Sequence, residues 1–128
     1  FLLTKSLLPA MIERKKGALL YVSSIWGVAG ACMETAYSAS KAALIGFCKA
    51  IAKEVAPSGI TANCVCPGVI DTPMNARFSA EETAELIGRT PLGRLGTAKE
   101  IADLIFFLCT GAPFVTGQAI TADGGFIL

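Results

Sequence analysis

The apolar run Ala18, Leu19, Leu20, Tyr21, Val22 constrains this chain more than any other stretch, because Ser23 and Ser24 close it and a turn-rich segment bearing Gly27 and Gly30 follows. A short, continuous apolar run bounded by turn signals reads as a strand buried on both faces, the kind found in parallel sheets covered by helices. Helical patterns flank it. Phe1 to Lys16 aligns Leu3, Leu7, Leu8, Met11 and Ile12 on one stripe, with Gly17 as the expected C′ residue and Pro9 expected to bend or restart the helix. From Ala36 to Val55 the residues Ala42, Ala43, Leu44, Phe47, Cys48, Ile51 and Val55 recur at near-helical intervals, and Pro57, Ser58 and Gly59 end the pattern. Gly46 inside that helix costs about 1 kcal/mol relative to alanine, which points to close packing there.

The second half repeats the alternation. Ile60 to Val65 is a short strand meeting Pro67 and Gly68, and Gln118 to Ala122 is a last strand leading to Asp123, Gly124 and Gly125. Between them, Ser79 with Glu82 and Thr97 with Glu100 form capping boxes that open helices to about Gly88 and about Cys109. The first of these helices lies in the irregular stretch Met74 to Gly96, and is either a mobile lid over a substrate or a static excursion. The order is helix, strand, helix, strand, lid, helix, strand: an α/β protein.

Tyr37 and Lys41 stand four residues apart. On a helix that spacing places phenol and ammonium on one face, and a cation beside a phenol favours the phenolate and makes proton exchange feasible at neutral pH. A hydroxyl such as Ser24 can hold a carbonyl against the phenol, so that the three groups protonate a ketone oxygen as hydride reaches its carbon. The chain has no histidine, which excludes Ser-His-Asp and Cys-His catalysis.

Composition narrows the partners. The net charge is +1 and the only basic run is Arg14, Lys15, Lys16, suited to a helix C-terminus, so no nucleic-acid partner is expected. Hydrophobic residues make up 53% of the 128 residues, which suits a buried sheet and extensive contact surfaces. The uncharged stretch Leu104 to Ala122 is broken by Gly111, Pro113, Thr116, Gly117 and Gln118, so no membrane span is expected. No secretory leader is evident, and a start at Phe1 is read as either a processed chain or, in preference, the C-terminal part of a longer one. The five cysteines are read as buried reduced thiols of a cytoplasmic protein, with Cys64 and Cys66 on opposite strand faces and no metal site.

Ser24, Tyr37 thirteen positions on, and Ser38, Ala39, Ser40, Lys41 resemble the catalytic segment of the short-chain dehydrogenase/reductase family. Asn63, Cys64, Val65, Cys66, Pro67, Gly68 resemble its N-x-V-x-P-G turn, and Asp71, Thr72, the Pro91 to Arg94 segment and Asp123, Gly124, Gly125 follow in the family's order. The resemblance spans the chain and is nearest to the 3-oxoacyl-acyl carrier protein reductases. It implies the C-terminal half of a Rossmann-like, doubly wound parallel sheet, without the N-terminal dinucleotide-binding half and its active-site asparagine. Residues 1–128 are then the catalytic portion of one domain.

The resemblance further implies NADPH-dependent reduction of a 3-oxoacyl thioester or similar ketone, with NAD as the other cofactor. Tyr37 is the expected general acid, Lys41 its activator and the holder of the nicotinamide ribose, and Ser24 the carbonyl anchor. Pro67, Gly68, the backbone of Ile70 and the hydroxyl of Thr72 are expected to meet the cofactor. The first two long helices are expected in a subunit contact of a homotetramer or homodimer, which offers a second account of Gly46, while the tail Phe126, Ile127, Leu128 packs on another subunit or on the sheet edge. Two alternatives stand: another carbonyl or alcohol substrate such as a sugar, a steroid or an amine-bearing ketone, or a truncated, non-catalytic oligomerising chain.

Overall fold

The computed structural model describes every residue except 76 and 77, which fall inside the irregular stretch. Helix α1 (Leu2–Arg14) leads to strand β1 (Gly17–Val22), a short helix α2 (Trp26–Ala29) and the long helix α3 (Thr35–Val55). After a 3-10 turn come β2 (Ile60–Pro67), β3 (Ile70–Asp71), α4 (Ala80–Gly88), β4 (Gly96–Thr97), α5 (Ala98–Thr110) and β5 (Ala119–Ala122). The main sheet has the order β1-β2-β5, with both pairings parallel, from Gly17 against Ile60 to Pro67 against Ala122. The two-residue strands β3 and β4 pair separately, Ile70 with Gly96 and Asp71 with Thr97.

Side-chain parity explains how the sheet is covered. Successive residues of a strand face opposite ways, so Ile60, Ala62, Cys64 and Cys66 of β2 meet α3, while Val65 meets α5. On the first face Leu19, Ile51, Ala52 and Val55 complete the core; on the second, Leu108 and Ala112 do, with Leu20 and Ile120 beside them. Burial on both faces accounts for the near-continuous apolar character of β1 and β2. Asn63 is the buried polar residue of β2, and both ends of its amide are used: its Nδ2 donates to the Val115 carbonyl at 2.7 Å and its Oδ1 accepts from the Gln118 N–H at 3.1 Å. The approach to β5 is thereby stitched to β2.

Several expectations need correction. Cys64 and Cys66 share a face, because residues two apart on a strand must, and with Cys48 they form a buried thiol cluster on the α3 side. Burial pushes the Cys48 thiol up to about 11, and Cys64 is raised first by donating to Cys66 and then by burial. Cys32 and Cys109, by contrast, are exposed. Helix α1 does not restart at Pro9 but continues through it. A Cβ built on Gly46 meets nothing within 4 Å, so contact with the sheet does not explain that glycine. The C-terminal cap of α1 is Lys15, not Gly17: Lys15 is left-handed at φ 52° and its N–H reaches the Ile12 carbonyl. A left-handed non-glycine residue costs about 1 kcal/mol or more, so Lys15→Gly is expected to stabilise the full-length protein by about that amount in urea unfolding.

Both predicted capping boxes are present, Ser79 with Glu82 and Thr97 with Glu100. Arg94 adds two guanidinium bonds to Glu100, at 3.0 and 2.5 Å. That guanidinium first, and the Thr97 N–H and hydroxyl next, hold the Glu100 carboxyl down at about 2 from an ordinary 4.5. A carboxyl depressed in the folded state stabilises the fold above its unfolded value, and that contribution is lost as pH falls through its folded value. Glu100→Gln is therefore expected to flatten the fall in stability between about pH 4.5 and 2, read as urea midpoints across that range.

Candidate active site

The site begins where β1 ends. The ladder with β2 continues past Val22, the Ser23 N–H donating to the Val65 carbonyl at 2.8 Å and the Ile25 N–H to the Pro67 carbonyl at 3.0 Å. Ser24 is thus fixed beside the carboxyl end of β2. Its Oγ accepts the Trp26 N–H at 3.1 Å, which keeps the hydroxyl proton for a group in the cleft. Ser23 points the other way and donates to the Lys41 carbonyl at 2.8 Å, tying α3 to the strand end.

Gly27 completes that junction. A Cβ there would lie 2.7 Å from the Lys41 carbonyl carbon, 2.8 Å from Ser23 Oγ and 2.9 Å from the Ala42 nitrogen. Only hydrogen fits, so α2 rests directly on the turn of α3 that carries Lys41. Lys41 Nζ donates to the Val22 carbonyl at 3.1 Å and stands 5.5 Å from the centroid of the Tyr37 ring. The four-residue spacing delivers the expected pair.

The opposite wall is the segment after β2. The Gly68 N–H donates to the Ala122 carbonyl at 3.0 Å, and a Cβ on Gly68 would lie 2.6 Å from that of Asp123. Asn75 Nδ2 donates to the Ile70 carbonyl at 2.7 Å and shapes the turn beyond β3. Ser24, Tyr37, Lys41, Pro67, Gly68, Ile70 and Thr72 all line one cleft of about 640 Å³, so every residue singled out from the sequence converges there. That volume lies within the roughly 300–1,000 Å³ usual for small-molecule and cofactor sites.

Ser23, Gly27 and Asn75 do not emerge as site residues from the sequence, although Gly27 is one of two glycines in the turn-rich segment. Trp26, like Met33, reads from the sequence as either a packing residue or part of a substrate wall, with no role assigned. Among the described residues no group of three His, Cys, Asp or Glu side chains is arranged to hold a metal ion. No helix of the described residues is long and apolar enough to cross a membrane.

Helices on both faces of a parallel sheet, with a cleft outside the strands' carboxyl ends, define a Rossmann-like α/β protein. A family model described as enoyl-(acyl carrier protein) reductase matches residues 1–127, and the chain belongs to the short-chain dehydrogenase/reductase family, close to its 3-oxoacyl-acyl carrier protein reductases. It is 47% identical over 126 residues to the uncharacterized oxidoreductase YmfI of Bacillus subtilis, covering 98% of this chain and 52% of that one. It is 40% identical to the 3-oxoacyl-[acyl-carrier-protein] reductase FabG of Escherichia coli, again over 98% and 52%. The crystal structure of a 3-oxoacyl-[acyl-carrier protein] reductase from Brucella melitensis superposes with a TM-score of 0.91 at 38% identity, covering 98% of this chain and 47% of that one. The chain spans about half the length of the curated relatives it matches.

Proposed function

We propose that residues 1–128 are the C-terminal, catalytic portion of one reductase domain that uses NADPH to reduce a 3-oxoacyl thioester, carried on acyl carrier protein, to a secondary alcohol. The observation that carries this reading is the convergence of Ser24, Tyr37 and Lys41 on one cleft with the Pro67 to Thr72 segment. The similarity to 3-oxoacyl-acyl carrier protein reductases supports the substrate class.

The residues suit the nicotinamide end of a dinucleotide. Ile70 and Thr72 line the same cleft as the Tyr37 and Lys41 pair, where a carboxamide and a ribose would find polar groups. When bound, the cofactor supplies hydride. Ser24 donates its hydroxyl proton to the substrate carbonyl and stabilises the charge that develops on oxygen. Tyr37 transfers its phenolic proton to that oxygen. Lys41 stays fixed by the Val22 carbonyl 5.5 Å from the Tyr37 ring centroid, with two further ammonium hydrogens available for a ribose.

One side of α1 supports self-association as a homodimer or homotetramer. Leu2 is 78% exposed, Leu3 72% and Leu7 45%, an apolar surface that a partner would cover.

The test is an assay of the full-length protein against a panel of ketones, each with NADPH and with NADH. Fastest consumption is expected with a 3-oxoacyl thioester and NADPH. Preference for a sugar or steroid ketone would replace the substrate assignment, and consumption with none would favour a non-catalytic, oligomerising chain.

A further inference from the structure

One wall of the cleft is braced from behind by an aromatic stack that the reaction itself does not require. Trp26, the only tryptophan of the sequence, lines the cleft two residues after Ser24 and is half-buried. Its ring meets the edge of Phe126 with centroids 5.7 Å apart at 77°, while the Arg89 guanidinium lies 4.7 Å from the Phe126 centroid. Within this chain Phe126, the first residue of the apolar tail, packs against Trp26 and Arg89.

The stack joins three elements. Trp26 opens α2, Phe126 belongs to the C-terminal tail, and Arg89 caps α4 one turn beyond Leu86, which also lines the cleft. The tail is held rigidly: Asp123 accepts the Gly125 N–H at 2.9 Å and the Ile127 N–H at 3.0 Å, and the Leu92 N–H donates to the Gly124 carbonyl at 3.2 Å. Such a mount fixes the orientation of the indole. Edge-to-face aromatic pairs contribute about 0.5–1.5 kcal/mol beyond buried area, and a cation over an aromatic face about 0.5–1 kcal/mol where exposed.

The cleft is polar at Ser24, Tyr37 and Lys41 and apolar along Trp26, Met74, Phe78 and Leu86. A carbonyl held at the polar end directs the remainder of an acyl substrate along the apolar wall. We propose that Trp26 is a specificity-determining residue that contacts the alkyl chain, and that Phe126 and Arg89 are positioning residues that set its indole. This rests on the 3-oxoacyl reading and adds the preference for a long unbranched chain. On this proposal a chain of 3-oxododecanoyl length reaches the indole and an acetoacetyl group does not.

The test compares kcat/KM of the full-length protein for acetoacetyl and 3-oxododecanoyl thioesters. Trp26→Ala is expected to lower the long-to-short ratio of kcat/KM about tenfold. Phe126→Ala should lower the ratio in the same direction, and Arg89→Lys should preserve what Arg89→Met loses. Trp26→Phe, a smaller change should Trp26→Ala fail to fold, is expected to give an intermediate ratio. Difference fluorescence between the protein and Trp26→Phe isolates the indole emission, which a long-chain 3-hydroxyacyl thioester should quench more than a short one. A parallel fall for both chain lengths, an unchanged ratio, or equal quenching would overturn the proposal with the reductase reading intact. Failure of the unaltered protein to reduce any 3-oxoacyl thioester would overturn that reading, and the proposal with it.

Discussion

Changing Tyr37 to Phe is expected to lower turnover of the full-length enzyme by about a hundredfold to ten-thousandfold, the range a positioned general acid contributes. Everything else about the site should survive. Lys41 is anchored by the Val22 carbonyl and α3 by the bond from Ser23 to the Lys41 carbonyl, and neither involves the phenolic oxygen. Tyr37 is 38% exposed, so losing its hydroxyl should change stability by no more than about 0.5 kcal/mol. Cofactor affinity, measured by fluorescence titration of the nicotinamide, should stay within about threefold. Near-normal turnover in this variant would remove Tyr37 from the proposed proton transfer.

Gly27→Ala is the second large effect, and it acts through geometry alone. Its Cβ would fall 2.7 Å from backbone of α3 at Lys41, where no flexible side chain can yield. Overpacking of this kind costs about 1–3 kcal/mol, and relief requires α2 and α3 to separate at the turn carrying the Tyr37 and Lys41 pair. A displacement of about 1 Å at reacting groups can cost about a hundredfold in rate. The expected result is a lower urea midpoint together with a fall in kcat near a hundredfold. An unchanged kcat in a folded Gly27→Ala protein would show that the junction of α2 and α3 does not set the catalytic geometry.

Periodic and local signals were legible in the sequence because they need no partner to be read. The apolar runs at Ala18 to Val22 and Ile60 to Val65 became the strands β1 and β2, and both capping boxes appeared as hydrogen bonds. The site was legible for a related reason. Tyr37 and Lys41 sit on one helix at a spacing that can be read directly, whereas Ser24 and the Pro67 to Thr72 segment are singled out by their resemblance to the family's motifs, since strand ends alone also fit ordinary turns.

The failures arise where distant parts of the chain decide. Trp26 becomes informative only once Phe126 and Arg89 arrive from the other end of the sequence. Gly17 looked like the cap of α1, yet the chain turned at Lys15, because leaving α1 early lets β1 run alongside β2 from Gly17 onward. Pro9 lies inside α1, and the helix continues past the one amide bond it lacks there. The Cys64 and Cys66 placement was a different kind of miss: strand parity puts such a pair on one face, and the buried cluster with Cys48 follows from it.

The central claim, that this cleft delivers hydride to a ketone held by Ser24 and Tyr37, is tested most directly by following the hydrogen. Full-length protein would be mixed with NADPH deuterated at the transferable nicotinamide position and a 3-oxoacyl thioester, and the product analysed by mass spectrometry. The account predicts a 3-hydroxyacyl thioester carrying deuterium on the former carbonyl carbon, formed by the unaltered protein and nearly absent with Tyr37→Phe. A product without deuterium, or equal labelling in the two proteins, would contradict it.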